Sequence, residues 1–318
     1  MSDSPDPFPT ASIETLQARS ELVQRARAFF LDRGYWEADT PLLSANTVID
    51  AHIDPIAVLV DGTTKFLQTS PELAMKRLLA AGSGSIFQFA HAFRAGEIGH
   101  RHNREFTLLE WYKVGANLDE LMREVAELTQ LLTGLPYLAT RSYRDVFREA
   151  VGIDPLTTPK SELIHLAQKA GLTFQPQHLD DALNFLWADQ VEPTFPKNGL
   201  LFIRDYPASQ AALAQTHLDT DGIPVAHRFE LFAGGFELAN GYLELQDPIT
   251  LEARFNQQNQ IRIDRGQKSL PIPRHLIAAL QAGLPSCSGV ALGFDRVVML
   301  VNGFDSIQKA IPFPDQQA

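Results

Sequence analysis

Cys287 is the only cysteine in the chain. A lone cysteine excludes an intramolecular disulfide and fits a reducing cytoplasm. No activating base accompanies it in the sequence, so it reads as a buried, inert thiol. No apolar run approaches the roughly 20 residues of a membrane span, and no membrane partner is expected. There is no internal repeat and no low-complexity tract. The opening MSDSPDPFPT has no apolar centre, which excludes a secretory signal, and residues 1–11 read as a disordered lead. Basic charge is short, with 27 Lys and Arg against 38 Asp and Glu, a net −11. That balance argues against a dedicated nucleic-acid binder, although His100, Arg101, His102 and Arg104 form a local basic loop. Gly82-Ser83-Gly84 is too short for a phosphate loop and reads as a turn. What is present is an ordinary globular composition: 318 residues, 45% hydrophobic and 20% charged, enough for a substantial core.

The most informative stretch, residues 93–112, reads FRAGEIGHRHNREFTLLEWY. Two strand-like runs flank its loop, 86–94 before and 106–112 after. Alternate residues of a strand share a face. Gln88, Ala90, Ala92 and Arg94 therefore lie together, as do Phe106, Leu108, Glu110 and Tyr112. Phe87, Phe89, His91 and Phe93 are expected on a core face. An Arg, a Glu, a Tyr and an aromatic ring then project beside a basic loop. Arg suits a phosphate or carboxylate because its fork donates two parallel hydrogen bonds. The bland alternative is a solvated hairpin with a salt bridge.

Other stretches take their places around it. Ser12 caps a helix that is expected to run to about Arg33 and stop at Gly34, with an extended segment to Thr40-Pro41. His52–Val60, Asp61-Gly62 and Lys65–Thr69 predict a hairpin. Ser70-Pro71-Glu72 opens a helix, where a first-turn Glu suits the helix dipole. Asn117 and Glu120 make a capping box for a helix to Thr133, ended by Gly134. Residues 140–198 look like an inserted helical subregion without ligand or nucleophile clusters, and the lone His52, His165 and His178 carry no chemistry. Leu200–Tyr206 reads as a buried strand. In RFELFAGGFELANGYLEL, residues 228–245, Gly234-Gly235 turns a hairpin that puts Glu230 and Glu237 on one face as diagonal neighbours. Carboxylates that close repel unless a cation sits between them, and Mg²⁺ arriving with ATP is the natural one; an exposed acidic hairpin is the alternative. Near the end, SCSGVALGFDRVVML (286–300) puts glycines before an apolar helix with Arg296 in its first turn.

These words together resemble the class II aminoacyl-tRNA synthetases, specifically the lysyl branch. FR, HN, EFT, Glu110 and Tyr112 fall at the spacing of motif 2, the 12–41 segment is similar to the dimer-forming motif 1, and GVALGFDR is similar to motif 3. Ala95-Gly96 replaces Asn-Glu, with Glu97 one step later; Arg104 replaces Pro; Ala291 replaces Gly. The resemblance implies an α/β (α+β) fold, a mostly antiparallel sheet flanked by helices, over residues 12–318, and a homodimer. It also implies site roles. Arg94 and Arg296 are catalytic. Glu97, His102, Asn103, Phe106, Glu237, Leu238 and Gly293 join them in holding ATP. Ser70, Pro71, Glu72, Tyr112, Asn240, Glu244 and Ala291 hold lysine or β-lysine, and Glu230 with Glu237 holds Mg²⁺. An anticodon-reading OB domain is expected to be missing. The chain is therefore more similar to the free-standing ligases that attach lysine or β-lysine to elongation factor P, and no stable tRNA binding is expected. A tRNA-acylating fragment and a non-catalytic amino-acid sensor remain alternatives; the intact Arg94, Glu237 and Arg296 speak against the sensor.

Overall fold

Ser12 does cap the first helix, its hydroxyl accepting from Thr15 N–H at 3.2 Å, and helix α1 runs Ile13–Leu31. The computed structural model describes residues 7–318. Residues 1–6 of the expected lead lie outside the described residues. Its described end is tied down: Thr10 N–H donates to Pro312 O at 2.9 Å, and Ala11 is buried. Leu22, Ala26, Phe29 and Phe30 form the buried stripe of α1, while Ile13 is exposed. Strand β1 (Trp36–Glu37) follows Gly34, whose φ of +80° only glycine adopts cheaply. Then come β2 (Leu43–Ser44), β3 (Ala57–Val60) and β4 (Thr63–Leu67). The last two are the expected hairpin, with Asp61 and Gly62 both at positive φ as a type I′ turn requires; its first strand starts at Ala57, later than His52. Helix α2 is Glu72–Ala80 and strands β5 (Ile86–Phe93) and β6 (Glu105–Val114) flank the 94–104 loop.

The chain divides into two units. One takes the residues up to 116, 131–133 and those from 246 on; the other takes 117–130 and 134–245. The second unit opens on helix α3 (Leu118–Thr133), which has the expected Asn117–Glu120 capping box and ends at Gly134 with φ +74°. Strand β7 (Tyr137–Ser142) has no counterpart among the sequence expectations. Helices α4 (Tyr143–Val151), α5 (Lys160–Lys169) and α6 (Leu179–Leu186) lie within residues 140–198. Their apolar faces bury Tyr143, Phe147, Leu163, Leu183 and Trp187 together with Tyr206 and Phe232. Tyr143 and Trp187 stack at 4.3 Å. Strands β8 (Leu200–Pro207), β9 (Thr216–Leu218), β10 (Pro224–Ala233) and β11 (Phe236–Leu243) complete the unit. Strand β10 is central, antiparallel to β8, β9 and β11, and β7 runs parallel to β8. Gly234 and Gly235, at φ +64° and +86°, make the predicted two-residue turn. Across the β9–β10 pair, His217 and His227 stack at 3.7 Å.

Back in the first unit, α7 (Pro248–Asp264) and α8 (Arg274–Gly283) are further elements without a sequence expectation. Asp247 caps α7 and Pro248 stands at its first position. Strand β12 (Cys287–Gly293) leads directly into α9 (Phe294–Asn302). Strand β6 lies between β5 and β12, antiparallel to both, and β1 pairs parallel with β5. Within each unit the strands pair mostly antiparallel, as expected. Cys287 is fully buried, as its lone status suggested. Among the described residues, no helix is long and apolar enough to cross a membrane.

Candidate active site

Register decides what the first unit presents. Across β5, β6 and β12, Gln88 is opposite Glu110 and Glu110 opposite Ala291; Ile86 is opposite Tyr112 and Tyr112 opposite Gly289; Ala92 is opposite Phe106. Directly opposed residues share a face. Gln88, Ala92, Phe106, Glu110, Tyr112 and Ala291 therefore lie on one surface, as the alternation predicted for β5 and β6. Glu110 is only 3% exposed and accepts from Tyr112 Oη at 2.7 Å. The expectation for the opposite face of β5 needs correction. Phe87 is buried and packs on Phe30, but His91 is exposed and pairs with Glu105 at 2.9 Å. The strand's end runs out of the core, so alternation no longer means burial there.

Arg94 follows β5. Its guanidinium lies 5.0 Å from the centre of the Phe106 ring and 3.6 Å from Glu97 Oε1. Its own N–H donates to Arg104 O at 2.9 Å and closes the base of the loop. Glu97, displaced by one place from the lysyl pattern, is thus a partner of Arg94. At the loop's far side, Arg296 Nη2 contacts His102 Nε2 at 2.8 Å. An always-protonated guanidinium can only donate, so that ring nitrogen accepts and the imidazole is neutral. Surrounding protein and the charge of Arg296 push the His102 pKa below its ordinary value. Asn103 is buried and its amide donates to Glu105 O at 2.7 Å. Gly293 is the N-cap of α9 and Arg296 lies in its first turn.

Three supports were not singled out in the sequence. Asp295, 2% exposed, accepts from Thr107 N–H at 2.7 Å and pairs with Arg19 at 2.6 Å, tying β6 to α9 and α1. Lys76, 2% exposed, donates to Glu72 Oε1 at 2.6 Å. A buried lysine one turn after an exposable Glu was the available signal, since i,i+4 pairs meet on a helix. Ser70 Oγ accepts from Glu72 N–H at 3.4 Å, and Pro71 is the N-cap of α2. Ser70, Pro71 and Glu72 thus form one rigid helix start.

The third support belongs to the second unit. A bulge shifts the β10–β11 register between Leu231 and Phe232, so Glu230 faces Asn240 and Glu237 faces Phe232. The two carboxylates are one alternation apart along β10. Glu230 is 7% exposed; Tyr206 Oη donates to it at 2.7 Å, and Arg228 Nη2 donates to its other oxygen. Burial, then Glu230, raises the Tyr206 pKa well above the phenol range, so Tyr206 stays a donor. Leu238 is buried, which leaves only its backbone for a ligand, while Asn240 is half-buried. Glu244 is 1% exposed and follows β11, where Gln215 Nε2 donates to its carbonyl at 3.0 Å.

No group of three or more His, Cys, Asp or Glu is arranged for a metal among the described residues. Glu230 and Glu237 are two carboxylates, one of them already neutralised by Arg228. That donor set does not suit a resident ion. It does suit a Mg²⁺ that brings its own phosphate and water ligands, which needs only one or two carboxylates.

Comparison with known proteins places the chain in a family. The sequence profile described as tRNA synthetases class II (D, K and N) matches residues 9–317. A protein of Vibrio campbellii named elongation factor P–(R)-β-lysine ligase is 44% identical over 315 residues, covering 96% of this chain and 97% of its own. Proteins of the same name from Pasteurella multocida and Yersinia pestis are each 42% identical, covering 98% and 99% of both chains. The chain belongs to the class II tRNA synthetase family and, within it, to the elongation factor P–(R)-β-lysine ligases.

Proposed function

We propose that this protein uses ATP to activate lysine or (R)-β-lysine as an acyl-adenylate and transfers it to a lysine side chain of elongation factor P. The observation that carries this reading is the face of β6: a cation over an aromatic ring at one end, Arg94 on Phe106, and the buried Tyr112–Glu110 pair further along. The first pairing suits a phosphate beside a stacked base, the second an ammonium.

The roles follow from charge. A carboxylate oxygen of the amino acid attacks the α-phosphorus, the bond to the β-phosphate breaks, and pyrophosphate leaves. Arg94 holds the reacting carboxylate and α-phosphate together, and Phe106 carries the adenine. Arg296, kept in place by neutral His102, meets the leaving pyrophosphate. Glu237 and Glu230 would hold a Mg²⁺ brought by ATP, which would supply further neutralising charge to the phosphates. In the first unit Tyr112 is assigned to the far ammonium and Glu72 to the near amino group; in the second, Glu244 is assigned to an ammonium and Asn240 to a carboxylate. The acceptor amine then attacks the acyl carbon, AMP departs, and the amine loses a proton to complete the amide. Alignment and preorganised charge do the work, so no protein nucleophile is needed. A homodimer in the cytoplasm is part of the same reading; Leu31, Trp36, Leu42 and Leu43, all exposed, offer an apolar surface for a second copy.

The test is direct. The protein is incubated with ATP, α- and β-lysine, tRNA and elongation factor P, and the labelled product is located by mass spectrometry. Label on an elongation factor P lysine supports the reading. Efficient charging of bulk tRNA at physiological salt supports the tRNA-acylating alternative instead.

A further inference from the structure

We propose that residues 304–317 act as a positioning strap for the loop between β5 and β6, with the backbone N–H and carboxylate of Asp315 as the groups that set it. This rests on the reading that the loop holds the nucleotide. The strap is anchored in the core by Ile307, Ala310 and Ile311, all buried. From there it grips the loop at three places. Ile307 N–H donates to His100 O at 2.7 Å. Asp315 N–H donates to Asn103 Oδ1 at 3.0 Å. Asp315 Oδ2 accepts from Arg104 Nη1 at 2.7 Å.

Asn103 is the pivot. Its oxygen accepts from the strap and its nitrogen donates to Glu105 O, so both ends of the amide are committed to backbone partners. A flipped amide would face donor to donor and acceptor to acceptor, which fixes the orientation. Asn103 therefore serves the nucleotide by shaping the loop. Next to it, the Arg104 carbonyl accepts from Arg94 N–H, so the strap's hold passes to the base of the catalytic arginine.

Such a device acts on geometry more than on stability. The Arg104–Asp315 pair is part-exposed, 44% and 26%, and pairs of that kind contribute about 0–1 kcal/mol. A reacting group displaced by about 1 Å can lose about 10²-fold in rate. The signature is a defect in ATP handling without a matching loss of folding.

Two variants separate the groups. Asp315 is the second residue of a turn closed by Gln317 N–H to Pro314 O at 2.7 Å, a position that accepts proline. Asp315→Pro removes the N–H and the carboxylate together, whereas Asp315→Ala removes the carboxylate alone. In pyrophosphate exchange, Asp315→Pro should raise the KM for ATP about tenfold and leave the KM for lysine within about twofold, the size of one lost hydrogen bond. Asp315→Ala should raise the ATP KM no more than about threefold. Amides 100–105 should exchange hydrogen faster in Asp315→Pro with an unchanged melting temperature. An unchanged ATP KM, equal effects of the two variants, or a parallel rise in the lysine KM would overturn the proposal. Asn103→Ser cuts the same link from the loop side and should reproduce the ATP defect; a wild-type ATP KM there also overturns it. If the wild-type protein exchanged no pyrophosphate with lysine, the functional reading would fall. ATP calorimetry and hydrogen exchange on the same variants would still decide the strap.

Discussion

Arg94 and Arg296 in the first unit are half-buried and meet their partners across a loop, whereas Glu230 and Glu244 in the second are 7% and 1% exposed on or beside paired strands. Both arginines keep part of their surface exposed. Glu230 is offset by internal donors, Arg228 and Tyr206. The difference teaches where a variant should lose stability and where it should lose only activity.

The largest expected effect lies on the buried side. Arg228→Met strands Glu230 and should cost about 3–5 kcal/mol in urea unfolding. A loss below about 1 kcal/mol would mean that Tyr206 alone satisfies Glu230. On the exposed side, Arg94→Ala should slow pyrophosphate exchange about 10²–10³-fold while the unfolding midpoint stays put. Equal stability losses in the two variants would erase the contrast. Glu244→Gln keeps an acceptor but removes a charge; it should raise the lysine KM about 10- to 100-fold and spare the ATP KM. A selective ATP defect would move Glu244 to the metal site.

Ala291→Gly is smaller. Ala291 lies half-exposed opposite Glu110, on the face read as the amino-acid floor. A methyl there crowds an α-amino group and spares one placed a carbon further along. Its removal should raise kcat/KM for α-lysine by about tenfold and change β-lysine little. An unchanged isomer ratio would hand discrimination to the Glu72 region. The smallest effect concerns His102. Its pKa is lowered, so the folded protein resists a proton that the unfolded chain accepts. Its contribution is complete above the ordinary value of about 6.5 and is lost as pH falls toward the depressed one. Protonation also turns Nε2 into a donor facing Arg296. The ATP KM should therefore rise severalfold as pH falls below the ordinary histidine value of about 6.5, and His102→Gln should flatten that rise. A wild-type profile already flat to pH 5 would remove His102 from the support of Arg296.

Much of the fold was legible because local chemistry and tertiary structure agree. Ser12, the Asn117–Glu120 box, Asp61-Gly62 and Gly234-Gly235 all do what their residue types require. The shared face of Phe106, Glu110 and Tyr112 followed from period two. Helix α7 escaped because it has few apolar residues and buries little beyond Leu251, Phe255 and Arg262. At the candidate site, single residue types were readable and their supports were not. Asp295 and the Asp315–Asn103 link depend on pairings 188 and 212 residues apart, which no local pattern encodes, whereas Lys76 and Arg228 pair four and two residues away and matter because Lys76 and Glu230 are buried, which spacing does not show. The bulge at Leu231 likewise left the Glu230–Asn240 pairing unseen, because one extra residue changes register without changing composition.

The stacked His217 and His227 carry a consequence for proton uptake. With rings 3.7 Å apart, both imidazoles cannot be charged at once without repulsion, and burial followed by His217 already holds the His227 pKa below its ordinary value. Asp205 works against that lowering of His227, and Arg204 adds to it. The folded unit therefore takes up fewer protons than its unfolded chain as acid is added, and every proton withheld is a bias toward unfolding. Strand β9, held by this stack, also carries the neighbouring Gln215 that grips the Glu244 backbone. Acid that disturbs the stacked rings therefore acts on the strand next to the residue that holds the Glu244 backbone.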